Sequence, residues 1–310
     1  MKKNSLTKLL ALTLCAVLAL GLFAGCAAKT DEAAPAATTE TAATETTETT
    51  AEETAPAEEA TEEAAPAEEA TGLLAEIKAR GKLIVGTEAQ YAPYEFKDLD
   101  ANFAGCDMWL AQQIADAIGV ELEVVDMAFD GIIPAVQAGS VDLGIAAFTV
   151  NAERAKVIDF SHQYELSEQL FIVKKGNADL YATKESLAGK KVGAQMGTVQ
   201  SELITSALPD SELFELDTYP NLAMETVNGN ITGFVCDAAV GEGMVAQNDN
   251  LEIGKLTFTA EEASFGKAVI VAKGNDDLME VVNKVIDQVV EDGSYLKAFD
   301  EYNAIWAPSE

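Results

Sequence analysis

The chain has 310 residues, 52 acidic against 20 basic, for a formal net charge of −32, with one histidine and four cysteines. That balance argues against nucleic acid as a partner, because phosphate binding needs clustered Lys and Arg. A single histidine leaves no ligand-spaced metal cluster, and the length allows one large domain or two lobes.

Residues 1–26 read as an export signal. Lys2, Lys3 and Lys8 form a positive start, and Leu9 to Phe23 is an apolar run shorter than the roughly 20 residues of a membrane-spanning helix. Ala24-Gly25-Cys26 then supplies a small-residue cleavage site. Residues 27–72 are low-complexity Ala, Thr, Glu and Pro, with 13 acidic residues against one lysine; AAPAEEAT at 64–71 is closely echoed at 55–61. No large apolar residue occurs between Cys26 and Leu73, so this stretch can form no core and its like charges extend it. It reads as a disordered acidic tether.

From Leu73 onward the pattern is that of alternating strands and helices. Leu73–Arg80 predicts a lead-in helix, Lys82–Thr87 a parallel strand, and 88–96 an aromatic loop at that strand's carboxyl end. A helix over Asp107–Ile118, closed by Gly119, a strand over Val120–Asp126, a short helix over Gly131–Gln137 and a strand over Val141–Ala146 follow. Beyond Glu168 the pattern restarts, with strands at Glu168–Val173, Val192–Gln195, Glu212–Leu216 and Ile231–Cys236. Helices at about Val199–Leu208, Leu222–Asn228 and Val240–Gln247 alternate with them. A crossing strand, Lys267–Ala272, and a final helix with Leu278, Val281, Val282, Val285, Ile286, Val289 and Val290 on one stripe, stopped by Gly293, end the series. Alternation of this kind predicts parallel sheets covered on both faces. Two such units joined by two crossings predict a bilobed α/β fold with a cleft, divided as 73–173, 174–267 and a return over 268–310. Cys106 and Cys236 are then expected as buried free thiols in different lobes, and His162 as a surface residue.

The chain has two arginines, Arg80 and Arg154. Arg154 lies in LGIAAFTVNAERAKVIDFS, just past the carboxyl end of a strand, where open α/β sheets bind ligands. A guanidinium fork there suits a carboxylate. The plainer alternative is a surface ion pair.

KLIVGTEAQYAPYEF, FDGIIPAVQAG, TVNAERAKVIDFS, KKVGAQMGT and EDGSY, in that order from Lys82 to Trp306, resemble the polar amino-acid solute-binding proteins of ABC importers, bacterial extracellular family 3. The resemblance implies a type 2 periplasmic-binding-protein-like fold, no enzymatic activity and no cofactor. It implies that Arg154 clamps the ligand's α-carboxylate with help from Thr149, and that Thr198 and Val199 meet the same carboxylate at a helix start, where the helix dipole favours an anion. Asp237 would bind the α-ammonium together with the carbonyl of Ala147, against the alternative that it merely caps the following helix. Tyr91 and Phe129 would wall the side-chain part of the ligand, or else be core aromatics, and Glu88 and Gln195 would line the specificity end. An acid at Glu88 favours a basic or glutamine-like ligand; glutamate and aspartate are disfavoured, although lysines could serve them. Phe-Ala-Gly-Cys is similar to a lipoprotein box, with Phe23 where leucine is commoner, which implies lipid on Cys26 and a monomeric receptor, held at the outer face of the cell membrane, serving a permease and its ATPase. Departures from the family pattern fall at Trp109, at the Ala147-Phe148 pair, at Asn151 and at Asn230-Ile231-Thr232-Gly233-Phe234, which lacks the customary Asp before the Asp237 strand. A bilobed dehydratase or a sensory module is the rival expectation; the first would need a positioned acid, for which Glu88 is the visible candidate.

Overall fold

The computed structural model describes residues 72–263 and 265–306. The expected export signal, Cys26 and all of the tether except Gly72 lie outside the described residues.

The first lobe begins with α1 (Gly72–Arg80), whose Leu74 and Ile77 turn inward. It delivers the chain to β1 (Lys82–Thr87). The stretch expected as a plain aromatic loop instead forms two short strands, β2 (Gln90–Tyr91) and β3 (Glu95–Lys97). They join β4 (Phe103–Ala104) in a small antiparallel sheet. Next come α2 (Cys106–Ile118), β5 (Glu121–Asp126), α3 (Phe129–Gln137) and β6 (Leu143–Gly144). A ten-residue strand, β7 (Ile158–Ser167), leads directly into β8 (Gln169–Lys174). In the second lobe, β9 (Lys191–Gln195), α4 (Val199–Ala207), β10 (Glu212–Leu216), α5 (Tyr219–Asn228), β11 (Gly233–Asp237) and α6 (Ala238–Gln247) alternate as expected. After β12 (Leu251–Ile253) and the single-turn α7 (Ala260–Ala263), β13 (Phe265–Ala272) returns the chain to α8 (Asp276–Glu291) and α9 (Ser294–Trp306).

Each lobe is built on a five-stranded sheet, in the orders β5-β1-β6-β13-β7 and β10-β9-β11-β8-β12. The alternation predicts parallel sheets, but neither sheet is wholly parallel. In each, three strands linked through helices run parallel, and the fourth, β13 or β8, runs antiparallel to the strands on both its sides. Crossover helices link neighbours in parallel, whereas β7, β8 and β13 pair with strands that arrive from distant stretches of the chain and not across a single crossover helix. Sheet membership also moves a predicted boundary. Because β8 pairs with β11 and β12, residues 169–173 belong to the second sheet, whereas division after 173 had left them in the first.

The final stripe on α8 buries Leu278, Val282, Val285, Ile286 and Val289, while Val290, one position beyond that face, is exposed. Gly293 does not end the chain's structure. Its left-handed backbone (φ 75°) turns the chain into α9, which packs on α2 and α8 and also touches α6 of the second lobe. There the Trp306 carbonyl accepts a hydrogen bond from Gln247 Nε2 at 2.7 Å, and the indole lies over Gly243. Cys106 and Cys236 are buried and unlinked, one in each lobe. His162 is exposed and faces Asp287, with 2.7 Å between Nδ1 and Oδ1. No described helix is long and apolar enough to cross a membrane.

Candidate functional site

The ten residues expected at a ligand site line one small cavity between the lobes. Glu88, Tyr91, Phe129, Ala147, Thr149 and Arg154 come from the carboxyl ends of β1, β5 and β6 and the segments after them. Gln195, Thr198, Val199 and Asp237 come from the corresponding ends of β9 and β11 and the start of α4. Strand ends meeting at a cleft are where open α/β sheets expose unpaired backbone and helix N-termini.

Arg154 opens a short 3-10 turn and donates to the Thr149 carbonyl and the Gly197 carbonyl, each at 2.9 Å. Its guanidinium carbon lies 5.4 Å from the ring centre of Phe129 and 5.5 Å from that of Phe148, and the two rings stack at 4.7 Å. These rings form a platform for the cation. Among the described residues no carboxylate comes within salt-bridge distance of it, whereas Arg80 is paired with Asp142. The surface ion pair therefore belongs to Arg80. Burial lowers the Arg154 pKa to about 10, which still leaves it charged at neutral pH.

Thr198 sits at the N-cap of α4 with its hydroxyl turned back to the Gln195 carbonyl at 2.7 Å, so it does not cap the helix with its side chain. The first-turn N–H groups of a helix have no partner within it, and those of α4 begin at the cavity wall. The expected departure at Ala147-Phe148 has a clear structural role. Ala147 adopts a left-handed backbone (φ 45°) that glycine would take without strain. Its N–H is held by Asp107 Oδ2 at 2.7 Å, and the same oxygen accepts from Tyr164 OH at 2.9 Å.

Asp237 is the N-cap of α6 but makes no side-chain cap bond. Its Oδ1 accepts from Gln169 Nε2 at 2.5 Å, and its Oδ2 from Tyr91 OH at 2.6 Å and from Lys267 Nζ. Lys267 is the cavity residue that sequence reasoning missed. It starts an apolar strand run and reads as an exposed strand end, yet it is 1 % exposed. A charged residue followed by five apolar ones in a crossing strand was the available signal. Glu95, Ala146, Gln200 and Tyr219 also line the cavity without having been expected there.

Electrostatically the cavity is crowded with acids. Burial pushes the Glu88 carboxyl up to about 8; Gln195 opposes this, and Asp126 and Asp217 add to it. Burial likewise drives Glu95 well above the usual range, with Asp107 adding to it, and lifts Glu165 to about 7 against the pull of Lys267. Glu88 Oε1 and Tyr219 OH are enclosed and have no hydrogen-bond partner among the described residues. Buried polar atoms without partners are costly, and both face the same cavity.

Two facing α/β lobes with an unneutralised guanidinium and a helix start at the cleft define a binding protein for a small anionic or zwitterionic solute. The chain belongs to the bacterial extracellular solute-binding proteins, family 3, whose model matches residues 83–304. It is 32% identical to the L-cystine-binding protein TcyJ of Escherichia coli (strain K12) over 74% of this chain and 85% of that protein. Its fold is similar to that of the amino-acid ABC transporter substrate-binding protein AbpA of Streptococcus pneumoniae bound to L-arginine. That comparison gives a TM-score of 0.72 and 34% identity, over 76% of this chain and 99% of that one. An ancestral amino-acid-binding protein described as a precursor of cyclohexadienyl dehydratase is similar with a TM-score of 0.68 and 32% identity, over 74% of this chain and 99% of that one.

Proposed function

We propose that the protein is the extracellular receptor of an ABC importer, capturing a polar amino acid, with a basic one favoured, between its lobes. The observation that carries this reading is Arg154: a half-buried guanidinium, stacked on Phe129 and Phe148, with no carboxylate among the described residues within salt-bridge distance. In this reading the ligand's α-carboxylate takes that role, assisted by Thr149 and by the amides of Thr198 and Val199 at the start of α4. The α-ammonium goes to Asp237 and the Ala147 carbonyl. The side chain runs past Tyr91 and Phe129 to Glu88 and Gln195. Glu88, with an unpartnered oxygen and 3 % exposure, suits a cationic end or an amide donor. The relative bound to L-arginine supports the basic choice.

Lipid on Cys26 would hold the receptor at the membrane surface, and the permease with its ATPase would receive the ligand. A receptor of this type acts as a monomer and needs no catalytic group. A dehydratase reading has one observation behind it: Glu88 and Glu95, both in the cavity, are acids held protonated above the ordinary range.

A thermal-shift screen of the protein, refolded to strip bound ligand, against the common amino acids tests the receptor reading. Stabilisation by L-arginine, L-lysine or L-glutamine is expected. A shift with acidic amino acids alone would defeat the Glu88 argument, and turnover of a cyclohexadienyl acid would move the protein to the enzymes.

A further inference from the structure

Asp237 already holds a cation. Lys267 Nζ is bonded to its Oδ2, the two side chains are 1 % and 2 % exposed, and both line the cavity. A carboxylate offers about four acceptor positions; Tyr91, Gln169 and Lys267 occupy three of these. An arriving α-ammonium brings three donors and a second positive charge into an enclosed space, where like charges repel strongly.

Relief is available on the neighbouring strand. Lys267 and Glu165 are register partners across the β13–β7 ladder, and residues directly opposite on antiparallel strands have Cβ atoms about 4.5–5.5 Å apart on one face. Glu165 accepts from Tyr94 OH at 2.9 Å and Tyr295 OH at 3.3 Å, and Lys267 Nζ lies 5.6 Å from the Tyr94 ring centre. Glu165 is thus the acid to which a side-chain rotation past Tyr94 would carry the ammonium from Asp237. The ladder register slips between Lys267 and Ala268 and again before Ile270, an irregularity of the kind that re-aims a side chain. The other acids that feel this lysine are Glu95 and Asp107; Asp107 is engaged with Ala147 and Tyr164.

We propose that Lys267 is a built-in stand-in for the ligand's α-ammonium: it neutralises Asp237 in the empty site and turns to Glu165 when an amino acid binds. The inference rests on the reading above, that Asp237 receives the ammonium. It makes Lys267 a positioning residue for selectivity. A carboxylate ligand lacking the amino group leaves Lys267 on Asp237, and an amino acid binds by exchange. The lift of Glu165 to about 7 is opposed by Lys267, so the approach of the lysine favours the carboxylate that would receive it.

The test is calorimetric titration of wild type, Lys267→Met and Glu165→Gln with L-arginine and with 5-guanidinopentanoic acid, the same molecule without the α-amino group. Removing Lys267 strands Asp237, so the ligand-free variant melts lower, L-arginine binds at least tenfold tighter, and the preference for L-arginine over its deaminated analogue widens. Glu165→Gln, which spares the Asp237 pair and guards against a Lys267 variant that fails to fold, weakens L-arginine severalfold and leaves the analogue unchanged. If wild type binds L-arginine but both variants alter the two compounds alike, Lys267 is a fixed structural cation and the stand-in role is overturned. If wild type binds neither compound, the amino-acid reading itself fails, and this inference with it.

Discussion

Arg154 Nη2 donates to the main-chain carbonyl of Gly197 at 2.9 Å, joining a residue that follows β6 in the first lobe to the turn that starts α4 in the second. The same guanidinium is placed to grip a ligand and to latch the lobes. Arg154→Ala is expected to lower L-arginine affinity at least a hundredfold, about 2.7 kcal/mol, just under the range on the order of 3–5 kcal/mol that losing a buried charge partner costs. Circular dichroism should be unchanged. Unaltered binding by calorimetry would remove Arg154 from the ligand's carboxylate.

Glu88 gives the site a pH signature. Its ligand-free pKa of about 8 means that a cationic side chain must first draw off its proton. Affinity for L-arginine should rise roughly tenfold per pH unit towards pH 8 and then level, while affinity for L-glutamine stays flat. Glu88→Gln should flatten the L-arginine curve. Stability runs the opposite way. A folded-state pKa raised above the ordinary 4.5 means that the folded protein holds a proton the unfolded chain gives up. The contribution is whole below about 4.5 and is lost as pH climbs to about 8. Melting temperatures at pH 5 and pH 8 should converge in Glu88→Gln, though not fully, because Glu165 titrates in the same sense to about 7.

Asp107→Ala should disturb the ligand wall from a distance. It strips Ala147 N–H and Tyr164 OH of their shared acceptor, a loss of about 1–3 kcal/mol for buried donors. For a folded body of this size that is on the order of 5 °C in Tm, with a parallel loss of ligand affinity as Ala147 leaves its left-handed backbone. An unchanged Tm would mean that the chain around β6 holds Ala147 unaided.

A methyl group on Gly243 would come within 1.9 Å of the Trp306 ring. Gly243→Ala should lift Trp306 from α6, seen as a red shift in tryptophan emission in a Trp109→Phe background, because the chain has two tryptophans. An unshifted spectrum would show that α9 does not depend on this contact.

Much of the site was legible because its parts sit in short ordered segments: a strand, a turn, then a helix start. Arg154 stood out by itself as a rare guanidinium past a strand end, while Thr149, Gln195, Thr198 and Val199 came from the resemblance of TVNAERAKVIDFS and KKVGAQMGT to the family. Lys267 was missed because the apolar run after it signals a buried strand without revealing the partner, Asp237 in the other lobe, that its buried charge requires. The expected strand over 141–146 shrank to Leu143–Gly144 because the paired register with β1 and β13 extends no further there. Gly144 itself shows the crowding: a Cβ on it would meet Ile270 at 2.5 Å. The aromatic loop became two short strands through pairings such as Tyr91 with Glu95, which hydrophobic periodicity does not reveal.

The two segments that pass between the lobes are hydrogen-bonded to each other, β7 against β13, with Ser167 opposite Phe265 at the far end. Two unpaired linkers could each rotate about any backbone bond. A paired ribbon behaves as a leaf spring, compliant to bending across its face and stiff to twist and slip. Each closure therefore brings Asp237 back to the same place opposite Tyr91 and Lys267, with no orientational search between the halves of the site. The entropy of alignment is spent once, when the chain folds, and not again at every capture.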